Sequence, residues 1–228
     1  MLNRLIDSLF PPGCLLCSAM KDVEDGVCNN CRNQMNEVPD PVCDICGKPV
    51  GTSGVCLTCL DSPPGFEKIV TAFIFEGKTR EAIHAFKYRG RTGLKKYFGK
   101  VIRQSLVKAD IRPDVIACIP MHWTRLFVRG YNQSALIAGE LAKLTGARAG
   151  FDVLVKIRNT KTQAGLDRKA RHKNIKGSFL AKGVKGLNVL VVDDVITTGE
   201  TAGAAALALK KAGADKVYIA GIGRTMPW

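Results

Sequence analysis

Residues 189–204 read VLVVDDVITTGETAGA, and this stretch decides the fold. The unbroken apolar run at residues 189–192 is typical of a strand that is buried on both faces of a parallel sheet. Two adjacent carboxylates, Asp193 and Asp194, stand at the end of this run. After a short turn comes an Ala-rich helix, which we expect to end at Gly213 in the position of a C′ glycine. The order strand, turn, helix predicts an α/β fold with a parallel sheet.

The turn between this strand and this helix is made of small, hydroxyl-bearing residues, Thr197-Thr198-Gly199-Glu200-Thr201. Backbone N–H groups and the positive end of the helix meet there, which favours a bound phosphate, and Gly199 permits close approach to the backbone. Asp193 and Asp194 would repel a phosphate unless they bind hydroxyl groups or Mg²⁺. A sugar that carries a phosphate and vicinal hydroxyls suits both the turn and the two aspartates. The alternative is an ordinary strand with two solvated acids at its tip.

The stretch closely resembles the phosphoribosyl-pyrophosphate (PRPP) signature of type I phosphoribosyltransferases. This resemblance implies that the two aspartates bind the 2- and 3-hydroxyls of the ribose, that the turn binds the 5-phosphate, and that Mg²⁺ accompanies PRPP. The PRPP-binding residues would be Asp193, Asp194, Thr197, Thr198, Gly199 and Thr201.

Eight of the nine cysteines fall in four C-x-x-C pairs, which are Cys14/Cys17, Cys28/Cys31, Cys43/Cys46 and Cys56/Cys59. Two such pairs complete a tetrahedral four-cysteine zinc site. Ten residues separate the first two pairs and nine separate the last two. This duplication favours two structural zinc ions, bound by pairs one with two and three with four, although a cross-braced arrangement is also compatible with the spacing. Disulfides are the competing interpretation, and they are rare in a cytosolic chain.

The segment 60–65, LDSPPG, reads as a linker. We therefore expect a zinc-binding module with a short N-terminal helix at residues 1–60 and a phosphoribosyltransferase-like domain at residues 61–228. The net charge of +14 is divided into −3 for the first part and +17 for the second. Such a surplus suggests a polyanionic partner, most simply nucleic acid, with generic solubilising charge as the alternative.

The first ten residues, MLNRLIDSLF, place apolar side chains on one helical face, interrupted by Arg4 and Asp7. This pattern differs from a signal peptide, and no apolar run of ~18 residues indicates a transmembrane helix. We therefore expect a docking helix and a cytoplasmic protein.

In the second part, helices are expected from Thr79 to near Gly90, over 93–108 and up to Gly146. Strands are expected over 69–75, 114–120, 151–157, 178–181, 189–192 and 216–222, and together they would form one sheet.

Four motifs carry a wider resemblance. Beside the cysteine pairs stand I-P-M-H at 119–122, R-G-Y-N-Q-S at 129–134, R-x3-T-Q-x2-L-x4-R-x2-N-x-K-G-x-F at 158–179 and V-V-D-D-V-I-T-T-G-x-T at 191–201. Over nearly the whole chain they resemble the ComF/GntX family, which implies a zinc ribbon fused to a phosphoribosyltransferase-like domain. Members called competence protein F handle incoming single-stranded DNA in natural transformation, and GntX-type members are tied to the use of DNA as a nutrient. The motif residues carried over are Arg129, Gly130, Tyr131, Asn132, Gln133, Arg158, Thr162, Gln163, Arg171 and Asn174.

Residues 155–176 hold eight cations and one acid, Asp167. Pyrophosphate needs two or three of these cations, and the surplus could follow a nucleic-acid backbone. In a phosphoribosyltransferase the turn Pro120-Met121-His122 would hold pyrophosphate, although it is bulkier than is usual there. Residues predicted for the loop, for pyrophosphate or for DNA are Arg129, Asn132, Gln133, Arg158, Thr162, Gln163, Arg168, Lys169, Arg171 and Asn174.

Two hypotheses for the function follow. In the favoured one, the fold binds single-stranded DNA, with Mg-PRPP as a ligand and DNA-uptake proteins as candidate partners. In the other, an active phosphoribosyltransferase transfers ribose 5-phosphate to an unidentified acceptor; no residue is assigned as catalytic, and with six residues after Ile222 we expect no C-terminal hood. Aromatic residues interleaved with cations favour the first, unless they belong to the core. They are Tyr88, Tyr97, Trp123, Phe127 and Tyr131.

Overall fold

The structure is a computed structural model that describes residues 13–157 and 177–226. Its N-terminal part consists of two cysteine-rich ribbons with short regular elements. The first ribbon contains an antiparallel pair, β1 (Val23–Glu24) and β2 (Val27–Cys28), followed by helix α1 (Asn29–Asn33). The second ribbon contains helix α2 (Leu57–Asp61). The docking helix expected at residues 1–10 lies outside the described residues.

A five-stranded parallel sheet forms the larger part of the molecule. In spatial order its strands are β3 (Lys68–Ile74), β9 (Val217–Arg224), β8 (Val189–Ile196), β4 (Val115–Cys118) and β5 (Arg148–Ala149). Strand β8 lies at the centre, and residues 189–192 are fully buried, as the apolar run predicts. The strand continues through the two aspartates to Ile196, because it stays paired with β9 over this length.

Helices cover both faces of the sheet. They are α3 (Gly77–Tyr88), α4 (Lys95–Lys108), α6 (Gln133–Thr145) and α7 (Glu200–Lys211), while the short helix α5 (Trp123–Arg129) has no buried residue. Helices α3, α4 and α6 pack with Leu190 and Val192 on one face, whereas α7 packs with Val189 and Val191 on the other. Helix α7 is followed by Gly213 with a φ of +89°, which confirms the predicted C′ glycine.

Two segments that we expected in the main sheet lie outside it. Strands β6 (Leu154–Lys156) and β7 (Phe179–Ala181) form a separate antiparallel pair. Leu154 and Phe179 are buried, but Val155 and Leu180 are 46% and 59% exposed. A strand with one solvated face suits an antiparallel pair, whereas a parallel sheet between two helical layers buries both faces. The unpredicted strand β5 forms the edge of the main sheet instead.

The ribbons are attached to the opposite edge, strand β3. The Ile69 backbone N–H donates to the Ile45 carbonyl of the second ribbon at 2.7 Å, and the Ile74 N–H donates to the Asn36 carbonyl at 2.8 Å. Both contacts use backbone groups that an edge strand would otherwise expose. Within the described parts of the chain, no helix has the length and apolar character needed to cross a membrane.

Candidate functional site

The eight paired cysteines form two clusters, Cys14/Cys17/Cys28/Cys31 and Cys43/Cys46/Cys56/Cys59, and within each cluster the four Sγ atoms lie within 4.8 Å of one another. The Sγ atoms of Cys17 and Cys28 are 3.6 Å apart, and those of Cys46 and Cys56 are 3.7 Å apart. A zinc tetrahedron with Zn–S bonds of about 2.3 Å has an edge of about 3.8 Å, whereas a disulfide needs about 2.05 Å. The thiols therefore fit two structural zinc ions, grouped as the spacing favours.

The two clusters show the same pattern of shifted cysteine pKa values. Burial raises the pKa of Cys14, but backbone N–H groups, foremost that of Cys28 at 3.4 Å, outweigh it and lower the pKa to about 6. In the second cluster the backbone N–H of Cys56 lies 3.3 Å from Cys43 Sγ and plays the same role, and the pKa of Cys43 is lowered to about 6. Burial raises the pKa of Cys31 and Cys59. Thiolates bind metal, so the lowered pKa of Cys14 and of Cys43 favours metal binding in each cluster.

A buried arginine joins the second cluster to the sheet. Arg224, at the end of β9, is 1% exposed, and its Nη1 donates to the carbonyl of Cys46. Burial lowers its pKa, while the four thiols of the cluster raise it, foremost Cys46. A zinc ion with four thiolates is negative overall, so the guanidinium supplies a counter-charge. The backbone of Arg224 pairs with Ile196, directly before the predicted phosphate turn.

Four of the six predicted PRPP residues, Asp193, Asp194, Thr197 and Thr201, line one cavity of about 420 Å³. Gly199 has a φ of +82° and caps the N-terminus of α7, so it takes the left-handed conformation that glycine favours. Thus the two carboxylates and the hydroxyl-bearing residues Thr197 and Thr201 border the same space. Neither Thr198 nor Gly199 lines this cavity; both lie on the far side of the turn.

An ion pair that was not predicted from the sequence holds one of the carboxylates. Lys87 Nζ lies 2.7 Å from Asp194 Oδ1, and their side chains are only 16% and 14% exposed. The two residues are 107 positions apart, so no local pattern could have paired them. The basic cluster at residues 87–91 is visible in the sequence, but not which of its cations faces the sheet.

The other carboxylate is poised to take up a proton. Burial, followed by the charge of Asp194, raises the pKa of Asp193 to about 7. The Asp194 N–H donates to Asp193 Oδ1 at 2.8 Å, and Ser134 Oγ donates to the same oxygen at 3.4 Å. These hydrogen bonds and the charge of Lys87 lower the pKa but do not cancel the rise. Asp193 therefore titrates near neutral pH.

The turn after β4 also borders this cavity, through Pro120, Met121 and His122. Asn132 caps α6, accepting from the Ser134 N–H at 3.0 Å, and braces this turn by donating to the carbonyl of Ile119 at 3.0 Å.

Of the residues predicted for pyrophosphate or DNA, Arg129 brings a charge to the same cavity. Its Nη1 donates to Oε1 of the fully buried Gln133 at 2.8 Å, and its guanidinium lies 4.8 Å from the centre of the Tyr88 ring. The remaining predicted residues lie outside the described part of the chain, namely Arg158, Thr162, Gln163, Arg168, Lys169, Arg171 and Asn174.

The aromatic side chains fall into two groups. Trp123 and Phe127 on α5 are 71% and 88% exposed, and Tyr88 at the end of α3 is 65% exposed. Tyr97 is 6% exposed and stacks on Phe73 in the core, so its predicted role in base stacking is wrong. Tyr131 is partly buried and donates its hydroxyl to the carbonyl of Phe86. Thus three of the five aromatic side chains predicted for base stacking are exposed at the surface.

Both the cysteine-rich part and the sheet-containing part of the chain match known protein families. A family model for the double zinc ribbon domain covers residues 5–60, and one for the phosphoribosyl transferase domain covers residues 90–222. DNA utilization protein YhgH of Salmonella typhi is 30% identical over 96% of this chain and 100% of its own. Competence protein F of Haemophilus influenzae is 26% identical over 92% of this chain and 96% of its own. Glutamine PRPP amidotransferase from B. subtilis, a solved structure, is 24% identical over 57% of this chain and 26% of its own, with a TM-score of 0.40.

Proposed function

Given that the chain belongs to the family that joins a double zinc ribbon to a phosphoribosyl transferase domain and includes YhgH and competence protein F, we propose that it handles single-stranded DNA during natural transformation and binds Mg-PRPP. In this proposal the ribbons are structural. The phosphoribosyltransferase-like part binds both ligands.

The PRPP part of the proposal rests on one observation, the meeting of two unlike binding surfaces in one cavity. Asp193 and Asp194 offer acceptor oxygens to ribose hydroxyls, and carboxylate oxygens are the ligands that Mg²⁺ prefers. Thr197, Thr201 and the N-terminus of α7 offer donors to a phosphate at the other end. Lys87 and Arg129 border the same cavity and would neutralise further phosphate charge.

The DNA part of the proposal is supported by charge and by exposed aromatics. Residues 61–228 carry +17, and the short helix α5 carries the exposed Trp123 and Phe127 as well as Arg125 and Arg129. Bases stack on aromatic rings while cations neutralise the backbone, which is the pattern of single-strand binding without sequence preference. Arg125 and Arg129 also line the cavity proposed for PRPP, which supports a role of PRPP as a regulator of DNA binding.

We expect the affinity for single-stranded DNA to fall steeply with salt, because bound cations release counterions from the strand. The double variant W123A/F127A should weaken binding at least fivefold, since each stacked base contributes about 1–3 kcal/mol. V128A, at an exposed aliphatic position of the same helix, is the matched control. Fluorescence anisotropy with a labelled oligonucleotide from about 50 to 200 mM salt measures both effects. A flat salt profile, or equal losses in V128A, would count against DNA handling.

The pH dependence of Mg-PRPP binding tests the carboxylate pair. Because the pKa of Asp193 is raised to about 7, protonation removes a charge that Mg²⁺ and hydroxyls require. Affinity should therefore be highest above pH 7 and fall by up to about tenfold per pH unit below it. In K87M the midpoint should move to higher pH, because Lys87 lowers the pKa of Asp193. Calorimetry between pH 6 and 8, corrected for the titration of PRPP itself, measures this; a pH-independent affinity would contradict it.

An active phosphoribosyltransferase is the second candidate, favoured by the intact combination of carboxylates, turn and cavity. It predicts that pyrophosphate is released from Mg-PRPP when an acceptor is present, at a rate that D193N/D194N loses. If no free base in a panel makes pyrophosphate release faster than its release from Mg-PRPP alone, the function is binding and not catalysis.

A further inference from the structure

Arg224 is a buried cation whose counter-charge does not come from a carboxylate. Its side chain is 1% exposed, and within the described residues no Asp or Glu forms an ion pair with it. A buried charge without an opposite charge nearby is strongly unfavourable. The second cysteine cluster supplies the opposite charge, because Arg224 donates to the carbonyl of Cys46 and four thiolates around one zinc ion are negative overall.

The backbone of Arg224 is held at the base of the phosphate turn. It pairs with Ile196 on strand β8, and the neighbouring Thr225 N–H donates to the Ile196 carbonyl at 3.0 Å. On the other side, the Phe75 N–H donates to the Arg224 carbonyl at 2.7 Å. Thr197, the first residue of the turn, directly follows Ile196. Arg224 therefore contacts the second cluster through its side chain and the start of the turn through its backbone.

The second ribbon packs closely against this part of the sheet. Ile45 packs against the apolar cluster that contains Ile69 and Ile196. Gly47 has a φ of +66°, and a Cβ added to it would lie 2.8 Å from the carbonyl oxygen of Ile69 and 3.7 Å from Nη1 of Arg224. Because this contact leaves no room for a side chain, a displacement of the ribbon would also displace the groups that hold the turn.

The first cluster lies on the opposite face of the sheet. Cys14, Cys28 and Cys31 pack in the core that contains Val192, whereas Ile196 belongs to the core on the other face. The two zinc sites have the same ligands, but their surroundings differ. Only the second is linked to the start of the turn by a buried cation among the described residues.

We propose that Arg224 is a positioning residue that couples the second zinc site to the phosphate turn. When this zinc is bound, the turn is held in place, and when the zinc or the charge of Arg224 is lost, residues 197–201 become mobile. The consequence for Mg-PRPP, which rests on the proposed function, is an affinity that depends on the second zinc and not on the first. Because coupling between binding sites is reciprocal, bound Mg-PRPP should strengthen zinc binding at the second site by the same factor.

Hydrogen exchange of the full chain tests the coupling without PRPP. The amides of residues 197–203 should exchange at least fivefold faster in C59S, which lacks a ligand of the second zinc. R224M, which keeps all eight ligands, should show a similar rise, since coupling between sites typically amounts to roughly 5–150-fold. C31S, which lacks a ligand of the first zinc, is the matched control and should stay within twofold of the wild type. Unchanged exchange in C59S or R224M, or equal rises in C31S and C59S, would overturn the proposal. If R224M does not fold, the comparison of C31S with C59S decides.

A chelator titration shows whether Arg224 acts on zinc through its charge. In the C31S background only the second zinc remains, so C31S/R224M compared with C31S measures the affinity of this site alone. We expect a loss of at least tenfold, and an affinity within threefold of C31S for C31S/R224K, which retains the positive charge. In the C59S background, where only the first zinc remains, R224M should change the zinc affinity less than twofold. Equal zinc affinity in C31S and C31S/R224M would overturn the proposal.

Calorimetry with Mg-PRPP distinguishes failure of the coupling from failure of the proposed function. We expect the affinity for Mg-PRPP to fall at least fivefold in C59S and R224M, and less than twofold in C31S. Equal affinity in the wild type and all three variants would overturn the coupling and leave PRPP binding intact. If the wild type does not bind Mg-PRPP while exchange of the turn still depends on the second zinc, the proposed function fails and the coupling stands.

Discussion

Chelation of zinc is expected to release two zinc ions per chain and to unfold residues 14–59. The ribbons contain strands of two residues and helices of five, and their buried residues are largely the cysteines themselves. Such a segment cannot bury enough apolar surface to fold alone, and structural zinc contributes about 10–16 kcal/mol in comparable modules. A chromophoric indicator counts the zinc, and hydrogen exchange reports on the ribbon amides.

Single substitutions separate the two sites. C31S should lose the zinc of the first cluster and C59S that of the second, because each removes a buried ligand from one cluster. C118S is the matched control: Cys118 is also buried, at the end of β4, and belongs to neither cluster. Release of a single zinc from the wild type, or loss of zinc in C118S, would contradict the two-site assignment.

The double variant D193N/D194N should abolish Mg-PRPP binding while the fold remains. Asn has the same shape as Asp, but it offers Mg²⁺ one neutral oxygen instead of a charged carboxylate. We expect a loss of at least 100-fold in affinity by calorimetry, and unchanged affinity would refute the site.

The single variants differ in their effect on stability. D194N leaves the largely buried Lys87 without its counter-charge, so its melting temperature should fall. In D194N/K87M stability should recover while PRPP binding stays lost. D193N should not lower the melting temperature at pH 8. The pKa of Asp193 in the folded state is raised to about 7, so this carboxyl contributes stability only at low pH. That contribution is lost as pH rises from the pKa of the unfolded state to that of the folded state, and none remains at pH 8. Equal melting temperatures for D194N and D194N/K87M would show that the ion pair does not contribute to stability.

Features that depend on short stretches of sequence were predictable. The buried run at 189–192 and the C′ Gly213 follow from local patterning, and the repeated C-x-x-C spacing indicated how the thiols group. The boundary at residues 60 and 61 stays a prediction.

Contacts between distant segments were not predictable. Lys87 meets Asp194 across 107 positions, and Arg224 meets Cys46 across 178. Tyr97 shows the same limit, because a helical pattern does not tell which aromatic faces the core. The strands β6 and β7 were predicted approximately, but their partners depend on the whole chain.

The attachment of the ribbons to strand β3 has a consequence for protein yield. Ile45 and Asn36 occupy backbone groups on the rim of the sheet that would otherwise be open to pairing with another molecule. When metal is scarce during synthesis, the uncovered rim would recruit further chains, and the protein would accumulate as aggregates. The zinc content of the growth medium should thus determine how much of it is recovered in solution.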